Sequence, residues 1–111
     1  MRVKTGKAAR DKGIRFELEI IDRLKELGFT AISTRSESRN LDNLGLDIID
    51  STPFSIQNKA VERLSLPCSE LLKQMGSNGL ENPVIAHKRA HKGTTVTMTW
   101  ELFEKVLKGE I

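Results

Sequence analysis

The sequence contains no tyrosine, one tryptophan, one cysteine and three prolines, and aromatic residues make up only 5% of it. So sparse a set argues against recognition of single-stranded nucleic acid by stacking bases on aromatic side chains. The lone Cys68 cannot form an internal disulfide, which fits a reducing cytosol. It reads as a small buried or half-buried residue rather than a nucleophile. No apolar run approaches the roughly 20 residues that cross a bilayer, so no membrane contact is expected. The N-terminus also lacks the apolar core of a secretory leader, and a cytoplasmic protein is the expectation. With 111 residues the chain has room for one core and is read as a single domain over 1–111. A hydrophobic content of 38% beside 30% charged residues suits a soluble globule.

The net charge of +3 is unevenly spread. Arg2, Lys4, Lys7, Arg10, Lys12 and Arg15 face a single acid, Asp11, at the start of the chain. A basic arm over 1–10 suits a polyanionic partner through phosphate neutralisation. A solvated, partly disordered terminus has the same composition, and charge alone does not separate the two.

The stretch from Leu44 to Val61, LGLDIIDSTPFSIQNKAV, organises the rest. Its two apolar runs carry polar residues where a buried strand should have none. Asp47 sits among aliphatics in the first, and Gln57 and Lys59 stand two apart in the second. The turn formers Asp50-Ser51-Thr52-Pro53 between them predict a hairpin. With a side-chain period of two, Gln57 and Lys59 share one face, while Phe54, Ile56 and Ala60 share the other. Pairing of the strands brings Asp47 beside them. A carboxylate, an amide oxygen and an ammonium would then converge, which is the layout of a metal site beside a reacting phosphate.

Upstream, helical periodicity from about Lys7 to Leu27 puts Ile14, Leu18, Ile21 and Leu24 on one stripe. Glu17 projects between Ile21 and Leu24 on that apolar side, where a carboxylate is costly unless it is paired or binds a cation. Gly28 ends the helix, and Phe29 to Ser33 reads as a first strand. Thr34 to Asn40 is a polar loop whose Arg35, Ser36, Ser38 and Arg39 are of the types that grip phosphate oxygens. It could equally be a plain surface loop. Downstream, Leu66 to Met75 reads as a helix with proline in its first turn. Strands follow at Pro83 to His87 and Thr94 to Thr99, and Thr99 can cap a last helix carrying Leu102, Phe103, Val106 and Leu107. His87 and His91 flank a strand end and a turn, so their spacing does not predict a metal pair. The element order is α-β-β-β-α-β-β-α, an α/β sandwich with a central mixed sheet of about five strands.

These residues resemble the PD-(D/E)xK nuclease superfamily, in particular its small Holliday-junction-resolvase-like members, including those of phages. Lys12-Gly13 followed by helical Glu17 resembles the resolvase opening. Gly28-Phe29, a strand and an Arg/Ser loop resemble the next segment. Gly45-Leu46-Asp47-Ile48 resembles the strand bearing the metal-binding aspartate, and Ile56-Gln57-Asn58-Lys59 the (D/E)xK strand. Gln57 departs from the pattern, standing where Asp or Glu is usual. The site loses one negative charge there, which should weaken divalent-ion binding or shift it onto Glu17 and Asp47.

The resemblance implies a restriction-endonuclease-like sandwich and a Mg²⁺-dependent endonuclease (Mn²⁺ also suiting oxygen ligands) that hydrolyses phosphodiester bonds in DNA. Its catalytic residues would be Glu17, Asp47, Gln57 and Lys59. Metal ligands would come from Glu17, Asp47, the Gln57 side chain and the Asn58 backbone carbonyl. Lys7, Arg10, Lys12, Arg15, Arg35, Ser36, Ser38 and Arg39 would track the backbone of branched duplex DNA. Two symmetric cuts at a junction imply a homodimer. The rivals are a nuclease of the same fold without junction preference, a DNA-binding module that has lost catalysis, and an unrelated interaction domain in which Asp47 and Lys59 form a salt bridge.

Overall fold

The computed structural model of the chain describes residues 6–37 and 39–111. Arg2 and Lys4 of the basic arm and Ser38 of the polar loop lie outside the described residues. The elements in order are α1 (Gly6–Glu26), β1 (Ala31–Ser33), α2 (Thr34–Glu37), α3 (Arg39–Asn43), β2 (Ile48–Asp50), β3 (Ser55–Lys59), α4 (Cys68–Ser77), β4 (Pro83–Arg89), β5 (Gly93–Thr97) and α5 (Trp100–Leu107). The strands form one mixed five-stranded sheet, ordered as in the sequence. β2 is antiparallel to β1 and β3, β3 is parallel to β4, and β5 returns antiparallel to β4. The single parallel step is the one that needs a crossover, and α4 supplies it.

Apolar residues meet on both faces of this sheet. On one face Phe16 and Ile21 of α1 and Leu102 of α5 pack with Ala31, Ile48, Ile56, Val84 and Ala86. On the other, Leu71, Leu72 and Met75 of α4 pack with Ile85, which is fully buried. β4 therefore buries Val84, Ile85 and Ala86 in succession, as a strand covered on both sides does. In β3 the alternation expected from the sequence holds: Ile56 enters the α1-side core, with Phe54 and Ala60 packed against it. Gln57 is turned the other way, towards Gly45 and Met75.

Several expected boundaries change. The polar segment after β1 is not a loop but two short helices, α2 and α3. Its Ser33-Thr34-Arg35 start is a capping site, with Ser33 Oγ accepting from Arg35 N at 3.1 Å. The strand expected from Leu44 begins only at Ile48, because Gly45 adopts φ +99 in a turn. The helix over Lys7 to Leu27 is α1, so Lys7, Arg10, Lys12 and Arg15 stand on helix. Its buried stripe is Phe16, Glu17, Ile20, Ile21 and Leu24 rather than one through Leu18, which is 49% exposed. Two apolar stripes overlap on this helix, and the sheet takes the one that inserts the large Phe16 ring. The hairpin turn forms as expected, Thr52 N donating to Asp50 Oδ1 at 3.0 Å. Thr99 caps α5 as expected, its hydroxyl accepting from Leu102 N at 3.1 Å.

The two stripes of α1 are separable by urea denaturation. Phe16→Ala is expected to cost about 3–5 kcal/mol, as for a buried aromatic ring. Leu18→Ala is expected to stay within about 0.5 kcal/mol, as for a surface substitution. Equal losses would contradict the assignment.

Candidate active site

The site is built at the point where β2 and β3 come together. Their register has one partner pair, Ile48 with Ile56, and Asp47 N donates to Ile56 O at 3.0 Å. One residue further along β3 the backbone changes partner: Asn58 N donates to Asp47 Oδ2 at 2.7 Å. The carboxylate thus takes the place of a strand carbonyl in the hairpin, which fixes its position as firmly as a ladder bond would.

The turn that delivers Asp47 is clasped by Thr34, which has no exposed surface. Its hydroxyl donates to Leu46 O at 2.7 Å and its backbone N–H to Asp47 O at 3.1 Å. Asn78, just past α4, adds a bond from Nδ2 to Leu44 O at 3.0 Å. Gly45 completes the turn, and a Cβ there would stand 3.2 Å from Gln57 Nε2.

Burial pushes the Asp47 carboxyl up to about 6 from 3.8, the Asn58 N–H opposing that shift. The negative charges of Asp42 and Glu17 push it further up, and Lys59 pulls it down. These charges are therefore near enough to act on one another: Glu17 from α1, Asp42 from α3, Asp47 before β2 and Lys59 from β3. Lys59 is half-buried and forms no salt bridge with Asp47, which removes the simple ion-pair reading of the two. Asp42 was not singled out in the sequence. It lies two residues beyond the polar stretch Thr34 to Asn40, on the short helix α3.

Glu17 is 7% exposed and binds Arg35, Oε2 to Nη2 at 2.9 Å. The carboxylate on the apolar side of α1 is thus compensated by the guanidinium of α2. Arg35 was expected to grip phosphate. Its side chain remains 43% exposed, but one nitrogen is committed to Glu17. A change at Arg35 therefore acts on the buried acid as well as on any phosphate.

Gln57 Oε1, Asn58 Oδ1 and Asn58 Nδ2 are buried without a hydrogen-bond partner among the described residues. Such orphaned amide groups cost free energy unless a ligand satisfies them. Gln57 Oε1, on the strand beside Asp47, is an acceptor with both lone pairs to offer. Among the described residues no three His, Cys, Asp or Glu side chains are grouped to hold a metal ion. The oxygen donors of this region are the carboxylates of Asp47 and Glu17, the latter from the α1 side of the sheet, and the amide oxygen of Gln57, which is turned to the α4 side; oxygen ligands suit Mg²⁺ or Mn²⁺ rather than a soft metal.

The expected backbone-binding residues are divided. Lys7 pairs with Asp11 at 3.1 Å. Arg10, Lys12 and Arg15 are exposed on α1. Lys12 and Arg15 line a cleft of about 420 Å³ with Glu19, Ala60 and Lys88, and there Lys88 binds Glu19 at 2.8 Å. Arg39 is exposed on α3, and Ser36 lies in α2. His87 Nε2 contacts Val61 O at 2.6 Å, whereas His91 sits in the β4–β5 turn at φ +59.

No protein-family model, curated protein or solved structure matches the chain.

The raised Asp47 pKa makes a test in stability. The folded state holds this proton more tightly than the unfolded chain, so stability falls as pH rises from 3.8 through about 6. At about 1.4 kcal/mol for each tenfold in affinity, the penalty near neutral pH is about 3 kcal/mol. Asp47→Asn keeps an oxygen acceptor for Asn58 N–H and removes the buried charge. It is expected to be more stable than wild type by up to about 3 kcal/mol near neutral pH, with the difference gone at about pH 4. A difference independent of pH in urea denaturation would contradict the burial of this charge.

Proposed function

We propose that this protein is a metal-dependent endonuclease that hydrolyses phosphodiester bonds in DNA, selective for branched duplex structures and acting in the cytoplasm. The observation that carries the reading is the buried Asp47 carboxylate, within the field of Glu17, Asp42 and Lys59, with a Gln57 oxygen on the adjoining strand that is unpartnered among the described residues. An acid buried at this cost is explained by a cation to be bound. The element order and the Asp47–Lys59 hairpin support a restriction-endonuclease-like sandwich as the setting.

Asp47, Gln57 Oε1, the Asn58 carbonyl and Glu17 would hold the ion. When bound, a divalent cation neutralises charge on the scissile phosphate and acidifies a water. The chain itself does the positioning. Asp47 is fixed by Asn58 N–H and by the Thr34 clasp, so the donor set is formed before substrate arrives. The Lys59 ammonium, in no salt bridge among the described residues, orients the attacking water and offsets negative charge that builds on the phosphate. Arg15, Lys12 and Arg10 on α1, with Arg39 on α3, hold the backbone by charge without reading bases. Two symmetric cuts in a four-way junction call for two copies of this site.

A second reading is favoured by Gln57 and by the Glu17–Arg35 pair: a module that binds DNA without cutting it. One acid of the usual set is replaced and another is already compensated.

Cleavage of a labelled four-way junction beside linear duplex, with Mg²⁺, Mn²⁺ or chelator, separates the two. Metal-dependent cutting of the junction is expected, and tight binding without cutting would establish the second reading instead. Asp47→Ala and Lys59→Ala are each expected to lower the rate by about 100-fold or more while leaving DNA affinity largely intact. Unchanged cleavage would sink the site assignment. Gln57→Glu restores a charged ligand and is expected to keep or strengthen Mg²⁺-dependent activity; an inactive but folded variant would contradict the role given to Gln57.

A further inference from the structure

Adjacent residues at the start of α2 hold the two acids of the proposed donor set. Thr34 clasps the turn of Asp47, its hydroxyl donating to Leu46 O at 2.7 Å and its N–H to Asp47 O at 3.1 Å. Arg35 holds Glu17, Nη2 donating to Oε2 at 2.9 Å. The backbone beneath both is fixed, because Thr34 is fully buried and Arg35 N donates to Ser33 Oγ at 3.1 Å. The long Arg35 side chain is the part with freedom to move.

The two ends of this ion pair differ. The Glu17 side chain is 9% exposed and the Arg35 side chain 43%. The acid is held in the interior, and the guanidinium meets it from the solvent side. Nη2 of Arg35 bonds Glu17, and the planar fork has further N–H donors to present to a phosphate. Removing one partner of a buried pair is costly because the other charge is left uncompensated. Exchanging one cation for another avoids that cost. A divalent ion at Asp47 and Glu17 brings the positive charge that Glu17 needs, and a phosphate arriving with it offers the guanidinium a new anion. In the absence of substrate, Arg35 and the ion compete for one carboxylate.

We propose that Arg35 is a positioning residue that acts through Glu17, withholding this carboxylate from the metal until a substrate phosphate takes the guanidinium. Metal and DNA then bind cooperatively, each tightening the other by the same factor. This coupling rests on the donor set assigned to Asp47 and Glu17, and it adds the control of that set.

Calorimetric titration of the full chain with Mn²⁺ alone tests the coupling without reference to cleavage, at about pH 8 so that protons do not compete for the acids. Arg35→Gln is expected to bind the ion about tenfold more tightly than wild type. Arg35→Lys, which keeps a cation beside Glu17, is expected to stay near wild type. The gain must pass through Glu17, so Glu17→Gln with Arg35→Gln is expected to bind no more tightly than Glu17→Gln alone. A saturating linear duplex should tighten Mn²⁺ binding by a larger factor in wild type than in Arg35→Gln. One readout needs no variant to fold: in wild type, saturating Mg²⁺ should move the guanidinium NMR signal of Arg35 to the position of a solvent-exposed arginine. An unmoved signal would overturn the coupling. So would equal Mn²⁺ affinity in wild type and Arg35→Gln, or a gain that survives Glu17→Gln; either leaves Arg35 a structural counter-ion and metal binding at Asp47 intact. Mn²⁺ binding in none of the proteins, or binding that Asp47→Asn leaves unchanged, would instead sink the donor set, and the coupling with it.

Discussion

The hydrogen bond from the Asn58 backbone to the Asp47 carboxylate is the constraint on which the site depends. Next to the main-chain bond from Asp47 N to Ile56 O, it ties the start of β2 to β3 through a side chain, and so holds a charged group within the hairpin. Solvent loss alone would favour the neutral acid, and nearby Asp42 and Glu17 add to that preference. Much of the surrounding architecture keeps the arrangement in place. The left-handed turn at Gly45 aims the chain, Thr34 clasps both Leu46 and Asp47, and α2 and α3 bridge the gap between β1 and β2. A fold selected for stability alone would place an aliphatic residue at this position. The cation proposed to bind there would offset that cost, which is why the proposed chemistry centres on Asp47.

The sheet was legible in the sequence because its signals are local. Turn formers at Asp50 to Pro53, the period of two through Ile56 and Gln57, the continuous apolar run Val84-Ile85-Ala86 and the Thr99 cap each act within a few residues. What was not legible depends on partners distant in the chain. Ile14-Leu18 and Phe16-Ile20 both have helical spacing, and only the sheet decides between them. The pairing of Glu17 with Arg35 spans 18 residues, so the sequence could show that Glu17 needed compensation without showing what supplies it. The short helices α2 and α3 were hidden because their polar residues satisfy a loop pattern as well. Ser33, of a type favoured at the N-cap, was the available signal for α2.

Gln57 gives the site its particular character. In a site with a third acid the repulsion among carboxylates would be larger, and a cation would be held by charge. Here the third proposed donor is an amide whose oxygen is buried and unpartnered among the described residues, so binding would rely on geometry and desolvation more than on net charge. The Glu17–Arg35 pair works in the same direction by compensating one of the two remaining acids until a ligand competes for it. On this account the protein binds its metal weakly in isolation and more tightly when substrate phosphate adds oxygen ligands and draws Arg35 outward.

The central claim is that a divalent cation binds at Asp47 with the amides of β3. Amide-resolved NMR of the full chain, titrated with small amounts of paramagnetic Mn²⁺, tests it most directly. The account predicts that signals of Asp47, Gln57, Asn58, Lys59 and Glu17 broaden first, and that Asp47→Asn abolishes the effect. Broadening centred instead on surface acids such as Glu81, Glu101 and Glu110, or the same broadening in the Asp47→Asn protein, would contradict it.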